Sequence, residues 1–356
     1  MCSDVRTGEA YKTVPRLDGN FRTIGLYTRA DILTALSTMA SEMLEPRDVT
    51  FRNYTTDQAS DYAAGRLGYT DALIDFILNY HRSTNGETGC VVDVGCGPGT
   101  ATQKLAPHFD LAYGVDPGES MITTATTLGG KTGTGAPILY KLSTAEDIDK
   151  VNDITHSSID MITAATAAHW FDMPRFWAAA AKVLKPGGTV AIWTVFRQSG
   201  SFNNNNELQS IFNDFLDALA PYSTAGTHLT QSGYVALPMP WDDPNTSKFY
   251  DQRASARHVL TAEDGFIPNA GRKESSQDSS DKSVDKQVQR IERLVGTFGS
   301  VSRWQKANPE LVGTEQDHVR ILMSKVRKVL EESGEPIELT ALAAKMAVAL
   351  ILVKRR

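Results

Sequence analysis

The sequence is poor in cysteine, in long apolar runs and in surplus positive charge. Its three cysteines, Cys2, Cys90 and Cys96, form neither a C-x-x-C pair nor a Cys/His metal pattern. A disulfide framework and a bound metal are therefore not expected, and a reducing compartment is. The most apolar stretch, Leu339 to Val353, is interrupted by Lys345 and falls short of the roughly 20 apolar residues that span a bilayer. It reads as buried sheet. With 36 Lys and Arg against 42 Asp and Glu in 356 residues, the net charge is −6, which opposes general binding to nucleic acid or to an anionic membrane. Residues 1–20 mix acidic and basic side chains without an apolar core, unlike a signal or transit peptide. A cytoplasmic setting is expected.

What is present is an alternation of helical and strand-like segments. Residues 1–50 form a polar extension with one helical pattern, Asp31 to Leu44, suited to packing on a surface or serving as a lid or dimer element. Residues 51–200 alternate: helix over 72–80, strand at Cys90–Val94, helix over 100–109, strand at 111–115, helix over 120–128, strands at 138–142 and 159–164, helix over 176–184, a Lys185-Pro-Gly-Gly turn, and a strand over 189–196. Short runs buried on both faces between helices imply a parallel sheet covered on each side. Beyond this core, over 201–356, Asn203 to Asn206 reads as a loop and 208–219 as a helix. Leu237 to Pro244 is too proline-rich for regular structure. Residues 269–286 carry one sizeable apolar side chain, Val284, and read as a mobile insertion. Val319, Leu322, Met323, Val326, Val329 and Leu330 mark an amphipathic helix before a last strand. Arg253 and Arg257 read as a solvated pair on a helix or a strand.

The segment Val91-Val-Asp-Val-Gly-Cys-Gly-Pro-Gly-Thr100 carries the chemistry. A buried strand ends in Gly95, Gly97 and Gly99 and then enters a helix, which lets backbone N–H groups approach a nucleotide-like ligand. A dinucleotide fingerprint requires glycine or alanine where Thr100 stands. Asp93 beside the turn repels a pyrophosphate and attracts an ammonium. The pattern therefore favours S-adenosylmethionine (SAM) over NAD. Asp116, ending the next strand in Tyr113-Gly-Val-Asp-Pro, suits a ribose diol, and Ser143-Thr-Ala-Glu-Asp suits an adenine edge.

Together with Ala168-His-Trp-Phe-Asp172 and Leu184-Lys-Pro-Gly-Gly188, these motifs resemble those of class I SAM-dependent methyltransferases. The resemblance runs from about Phe51 to Thr194 and is greatest to the group that includes trans-aconitate and cantharidin methyltransferases. It implies an α/β Rossmann-like sheet of seven strands, mostly parallel with an antiparallel last strand, plus a helical substrate cap. It also implies a SAM site made by Asp93, Gly95, Cys96, Gly97, Gly99, Asp116, Pro117, Met121, Ala145, Glu146, Ala165 and Thr166. Thr144 stands where many relatives carry Asp. Tyr54, Tyr62, Arg66, Trp170 and Trp241 are the expected substrate contacts, with Arg66 the clamp for a carboxylate. His169 is the expected base or orienting group, whereas His228 and His258 read as structural. The expected partner is a small-molecule methyl acceptor, taken by a monomer or homodimer. The expected acceptor group is a carboxylate, O-methylated without need of a base; the alternative is a hydroxyl or amine of a natural product, with His169 as base. A methyltransferase-like protein without methylating activity is the remaining alternative.

Overall fold

The computed structural model describes residues 13–15, 21–23, 54–65, 68–197, 206–261, 264–267, 284–333 and 346–356. Two compact units, 1–45 and 46–356, divide the chain. In the first, Thr13–Pro15 and Phe21–Thr23 pair as an antiparallel hairpin. The helix expected from Asp31 lies outside the described residues, as do Arg66 and most of the expected insertion.

The second unit is built on a seven-stranded sheet. Its strands are Cys90–Val94 (β1), Leu111–Asp116 (β2), Leu139–Leu142 (β3), Ile159–Ala165 (β4), Leu184–Arg197 (β5), Tyr250–Thr261 (β6) and Met346–Arg355 (β7). They lie in the order β3-β2-β1-β4-β5-β7-β6, and β7 is antiparallel to both its neighbours. Every residue of β1 is buried, because helices cover both faces and leave the Cys-Val-Val-Asp-Val run no solvent side. The chain moves outward from β1 to β3 and then returns to β4 on β1's other flank. This reversal opens a crevice at the carboxyl ends of β1 and β4, the place where open α/β sheets bind ligands.

The helices preceding and within the sheet are Thr56–Gly65 (α1), Asp71–Ser83 (α2), Thr100–Leu105 (α3), Glu119–Leu128 (α4) and Met173–Val183 (α5). Thr70 caps α2 by accepting from the Leu73 N–H, and Leu73, Ile74, Ile77 and Leu78 on its inner face are buried in one core with Val91, Met161 and Trp193. The helix expected over 100–109 gives way at Ala106-Pro107 to a 3-10 turn, since Pro107 supplies no N–H to continue the α-helix.

A second core stands apart. Asn206–Leu219 (α6), Val284–Gly296 (α8), Gly299–Ala307 (α9) and His318–Ser333 (α10) pack around Phe215, Val295, Trp304 and Val326, while the short Ala225–Gln231 (α7) sits against β5.

Three expectations need correction. Lys185-Pro-Gly-Gly is no turn but a bulge inside continuous β5: Ile159 pairs with Leu184 and Met161 with Thr189, so the extra residues bow out of the ladder. Asn206 and Val284 to Lys286 belong to helices, not to a loop or an insertion. Arg253 and Arg257 are both exposed, and the Arg257 guanidinium in addition donates to the carbonyls of Gly233 and Tyr234. The segment 250–261 is strand, which removes the helix alternative.

Candidate functional site

The three glycines after β1 all have positive φ, each for a different reason. Gly95 lies against Ala167 and Phe171. A Cβ at Gly97 (φ +54°) would meet nothing within 4 Å, so its backbone faces open cavity. Gly99 (φ +88°) does not line the cavity; a Cβ there would sit 2.5 Å from the Tyr140 hydroxyl. Its requirement is packing, a correction to the expected ligand contact.

The end of β2 bolts this turn down. Asp116 Oδ2 accepts the Gly97 N–H at 2.9 Å, its Oδ1 accepts the Gly118 N–H at 2.8 Å, and the Cys96 N–H donates to the Val115 carbonyl at 3.0 Å. Asp116 also lines the cavity, so its carboxylate is presented there in a fixed orientation.

Asp93 is not at the ligand surface. It is fully buried, with Oδ2 accepting from Thr102 at 2.6 Å and Oδ1 from Thr163 at 2.7 Å. The carboxylate thus staples β1 to α3 and β4 instead of facing an ammonium. Burial pushes its pKa up to about 6, against the two hydroxyl bonds that lower it, and the charge of Asp116 pushes it further up. Cys96 lines the cavity, but burial, with Asp116 and Asp93 nearby, raises its thiol pKa well above the ordinary value. It stays protonated and is no nucleophile.

The cavity runs over the strand ends from Asp116, Pro117 and Met121, past Thr144, Ala145 and Glu146, across the glycine turn, to Ala165, Thr166 and Ala167. Tyr62, Tyr69, Trp170 and Phe171 form its aromatic wall. Glu146 Oε1 accepts the Asp172 N–H at 2.6 Å and so ties the turn after β3 to the loop after β4. Thr166 has a φ of +52°, its N–H donates to the Trp193 carbonyl at 2.7 Å, and its buried Oγ1 has no hydrogen-bond partner among the described residues.

Several expected contacts are not on this wall. Tyr54 bonds Ser302 at 2.8 Å and packs edge-on against Tyr62, so it supports the wall from behind. Trp241 lies in a turn packed on α5 and β6, away from the cavity, because the Trp177 indole holds the preceding Pro238 carbonyl there. His169 stacks on Trp170 with ring centroids 4.6 Å apart and bonds the buried Tyr234 hydroxyl through Nδ1 at 2.8 Å. It is packed behind the wall. His228 is exposed; His258 packs edge-on against Phe76, and burial lowers its pKa.

Sequence reading missed Tyr69, Pro98, Ala101, Ala167 and Phe171 as lining residues. Phe171 stood in the His-Trp-Phe motif; Tyr69 had no signal beyond its place between two helices. Among the described residues no cluster of His, Cys, Asp and Glu could hold a metal ion, and no described helix is long and apolar enough to cross a membrane.

The glycine turn, the Asp116 bolt and the crevice coincide with residues 92–192, which match the family described as "Methyltransferase domain". Over those residues the chain is similar to a methyltransferase domain. A methyltransferase-named protein of Dictyostelium discoideum is 31% identical over 43% of this chain and 52% of its own length. The CRG1 protein of Saccharomyces cerevisiae, described as a SAM-dependent methyltransferase, is 27% identical over 48% of this chain and 52% of its own. The chain thus spans about half the length of the curated relatives it matches. Among solved structures, a protein of Anaeromyxobacter dehalogenans described as a type II methyltransferase is 21% identical, covering 82% of this chain and 96% of its own, with a TM-score of 0.47. In this segment the residues present fit SAM: an open backbone face at Gly97 and an acid at Asp116 held by backbone N–H groups.

Proposed function

We propose that this chain is a SAM-dependent methyltransferase acting on a small molecule. The observation that carries the reading is the glycine turn held by Asp116, within a segment that matches a methyltransferase domain. When bound, SAM supplies an electrophilic methyl group on a sulfonium. The protein's task is then to bind, orient and dehydrate. Asp116 takes the ribose, Pro117 and Met121 flank the adenine, and Thr144 to Glu146 border its edge. Gly95 to Gly97 receive the methionine end. Among the described residues the charged groups on the wall are the acids Asp116 and Glu146, which suits a cationic cofactor without phosphate.

For the acceptor, the aromatic wall of Tyr62, Tyr69, Trp170 and Phe171 favours a flat, uncharged molecule methylated on a hydroxyl or amine. His169 positions Trp170 in this reading. The trans-aconitate-like resemblance instead favours a carboxylate clamped by Arg66, which lies outside the described residues. The pH profile separates them. A carboxylate is already ionised, so its rate stays flat from about pH 6 to 8, whereas a hydroxyl or amine acceptor gives a rate that rises with pH.

The test is incubation of the protein with deuteromethyl-SAM and a panel of phenols, amines and carboxylic acids, read by mass spectrometry of the products and of S-adenosylhomocysteine (SAH). Gly97→Val, whose side chain would enter the cavity from a positive-φ position, should abolish SAM binding by calorimetry in a folded protein. Undiminished affinity in that variant would defeat the cofactor assignment.

A further inference from the structure

Part of the cavity wall is held by residues beyond the segment 92–192 that matches a methyltransferase domain. Helix α7 ends in a Schellman cap, in which the Gly233 N–H donates to the Thr230 carbonyl and the Tyr234 N–H to the Leu229 carbonyl. Such a cap asks for one left-handed residue, and Gly233 (φ +61°) supplies it. Tyr234 is left-handed as well, at φ +61°. For a bulky side chain this is an outlier that persists only where the surroundings over-determine it. Two contacts do so. The exposed Arg257 on β6 donates to the carbonyls of Gly233 and Tyr234 and fixes the turn. The Tyr234 ring is wholly buried, and its hydroxyl shares a hydrogen bond with His169 Nδ1 at 2.8 Å. Helix α7 itself packs on the turn Ala168–Trp170, where a Cβ at Gly226 would stand 3.2 Å from both the His169 ring and the His169 carbonyl oxygen. His169 in turn stacks on Trp170, which lines the cavity.

We infer that Tyr234 is a specificity-determining positioning residue: through His169 it fixes the Trp170 face against which the methyl acceptor lies. This rests on the methyltransferase reading above. A glycine at 234 would meet the backbone demand of the turn without strain, so the strained tyrosine is explained by what its hydroxyl reaches. The imidazole limits the movement of the indole stacked on it, and the bond to an immobile hydroxyl limits the imidazole. An aromatic wall selects a flat acceptor by where its ring stands, and a displacement of about 1 Å is enough to spoil alignment for transfer. The acid at Asp116 is held separately, by backbone N–H groups of the glycine turn and of Gly118. Loss of the Tyr234 bond therefore acts on the acceptor and spares SAM. Acceptor choice is then set from α7 and β6, so chains that share the segment 92–192 can differ in what they methylate.

Kinetics on the full chain test this, using the compound of the deuteromethyl-SAM panel that the wild type methylates fastest. Tyr234→Phe keeps the ring and removes the hydroxyl. It should raise the KM for that compound about fivefold or more, with calorimetric SAM affinity changed by less than about twofold. His169→Phe, which keeps a ring beside Trp170 and removes Nδ1, should do the same, and the double variant should lose no more than either alone. If Tyr234→Phe does not fold, Arg257→Ala, at an exposed position, carries the same expectation. In protein carrying isotope-labelled tryptophan, the indole N–H signal absent from Trp170→Phe belongs to Trp170, and the Tyr234 variant should shift or broaden it. Equal losses for SAM and acceptor, additive losses in the double variant, or an unmoved Trp170 signal would overturn the inference. A wild type that methylates nothing in the panel, with the Trp170 signal still responding, would instead overturn the methyltransferase reading.

Discussion

Asp93 is the side chain whose environment opposes its charge most plainly. Buried between Thr102 and Thr163 and facing the charge of Asp116, its carboxyl has a pKa pushed up to about 6 from 3.8. A carboxyl raised in this way takes up a proton on folding. Its stabilising contribution is complete below about pH 4 and is lost as the pH rises through about 6. Asp93→Asn keeps the shape and hydrogen-bonding capacity but has no charge to desolvate. Urea denaturation of both proteins between about pH 4 and pH 7.5 should show wild-type stability falling relative to the variant as pH rises; a constant difference would count against the burial argument. The position of Asp93 before the glycines was legible in the sequence, but its direction was not. Its partners lie on different elements, one after the turn and one on β4, and only the packed sheet brings them to the same carboxylate. His169 shows the same limit. The His-Trp-Phe motif marked the loop, and the packing against Tyr234 decided that Trp170 and Phe171 face the cavity.

At the scale of elements, the sheet's central strands were legible because burial on both faces leaves a continuous apolar run. The edge strand β6 was not. Only Tyr250 and Leu260 of it are buried, and its pairing with β7 slips between Asp251 and Ala256, so no period survives in Tyr-Asp-Gln-Arg-Ala-Ser-Ala-Arg. The β5 bulge was equally hidden, since Pro-Gly-Gly has the composition of a turn. What holds the bulge is visible only in three dimensions. Asp160 on β4 pairs with Lys185 at 2.7 Å and accepts the Cys90 N–H at 2.7 Å, joining β1, β4 and β5 at their amino ends. Asp160→Ala leaves that N–H without its partner and should cost about 2 kcal/mol in chemical denaturation. Because the cavity is at the opposite ends of these strands, calorimetric SAM affinity of the folded variant should be unchanged.

For the compact unit 46–356, the instructive feature is that α1 touches both hydrophobic cores' neighbourhoods. It presents Tyr62 to the cavity, packs on α4 beside the sheet and on α8 in the helical cap, and its last residue, Gly65, lies where a Cβ would be 2.7 Å from the Arg293 carbonyl oxygen. Backbone cannot yield as a flexible side chain can, so Gly65→Ala should separate α1 from α8. The expected result is weaker SAM binding by calorimetry with little change in melting midpoint, since neither core loses a side chain. Unchanged binding would show that the cap and the cavity wall are independent. The helical pattern of α10 foretold an amphipathic helix, whereas this contact between α1 and α8 depends on a glycine that looked ordinary in sequence. The strand order carries a consequence for synthesis. β7 lies between β5 and β6 although it is made after both. On the ribosome, β5 therefore emerges with its outer hydrogen-bonding edge open, and β6 follows without its partner, until residues 346–355 leave the exit tunnel. A nascent chain stalled between those points would present an apolar strand edge to whatever strand or chaperone reaches it first.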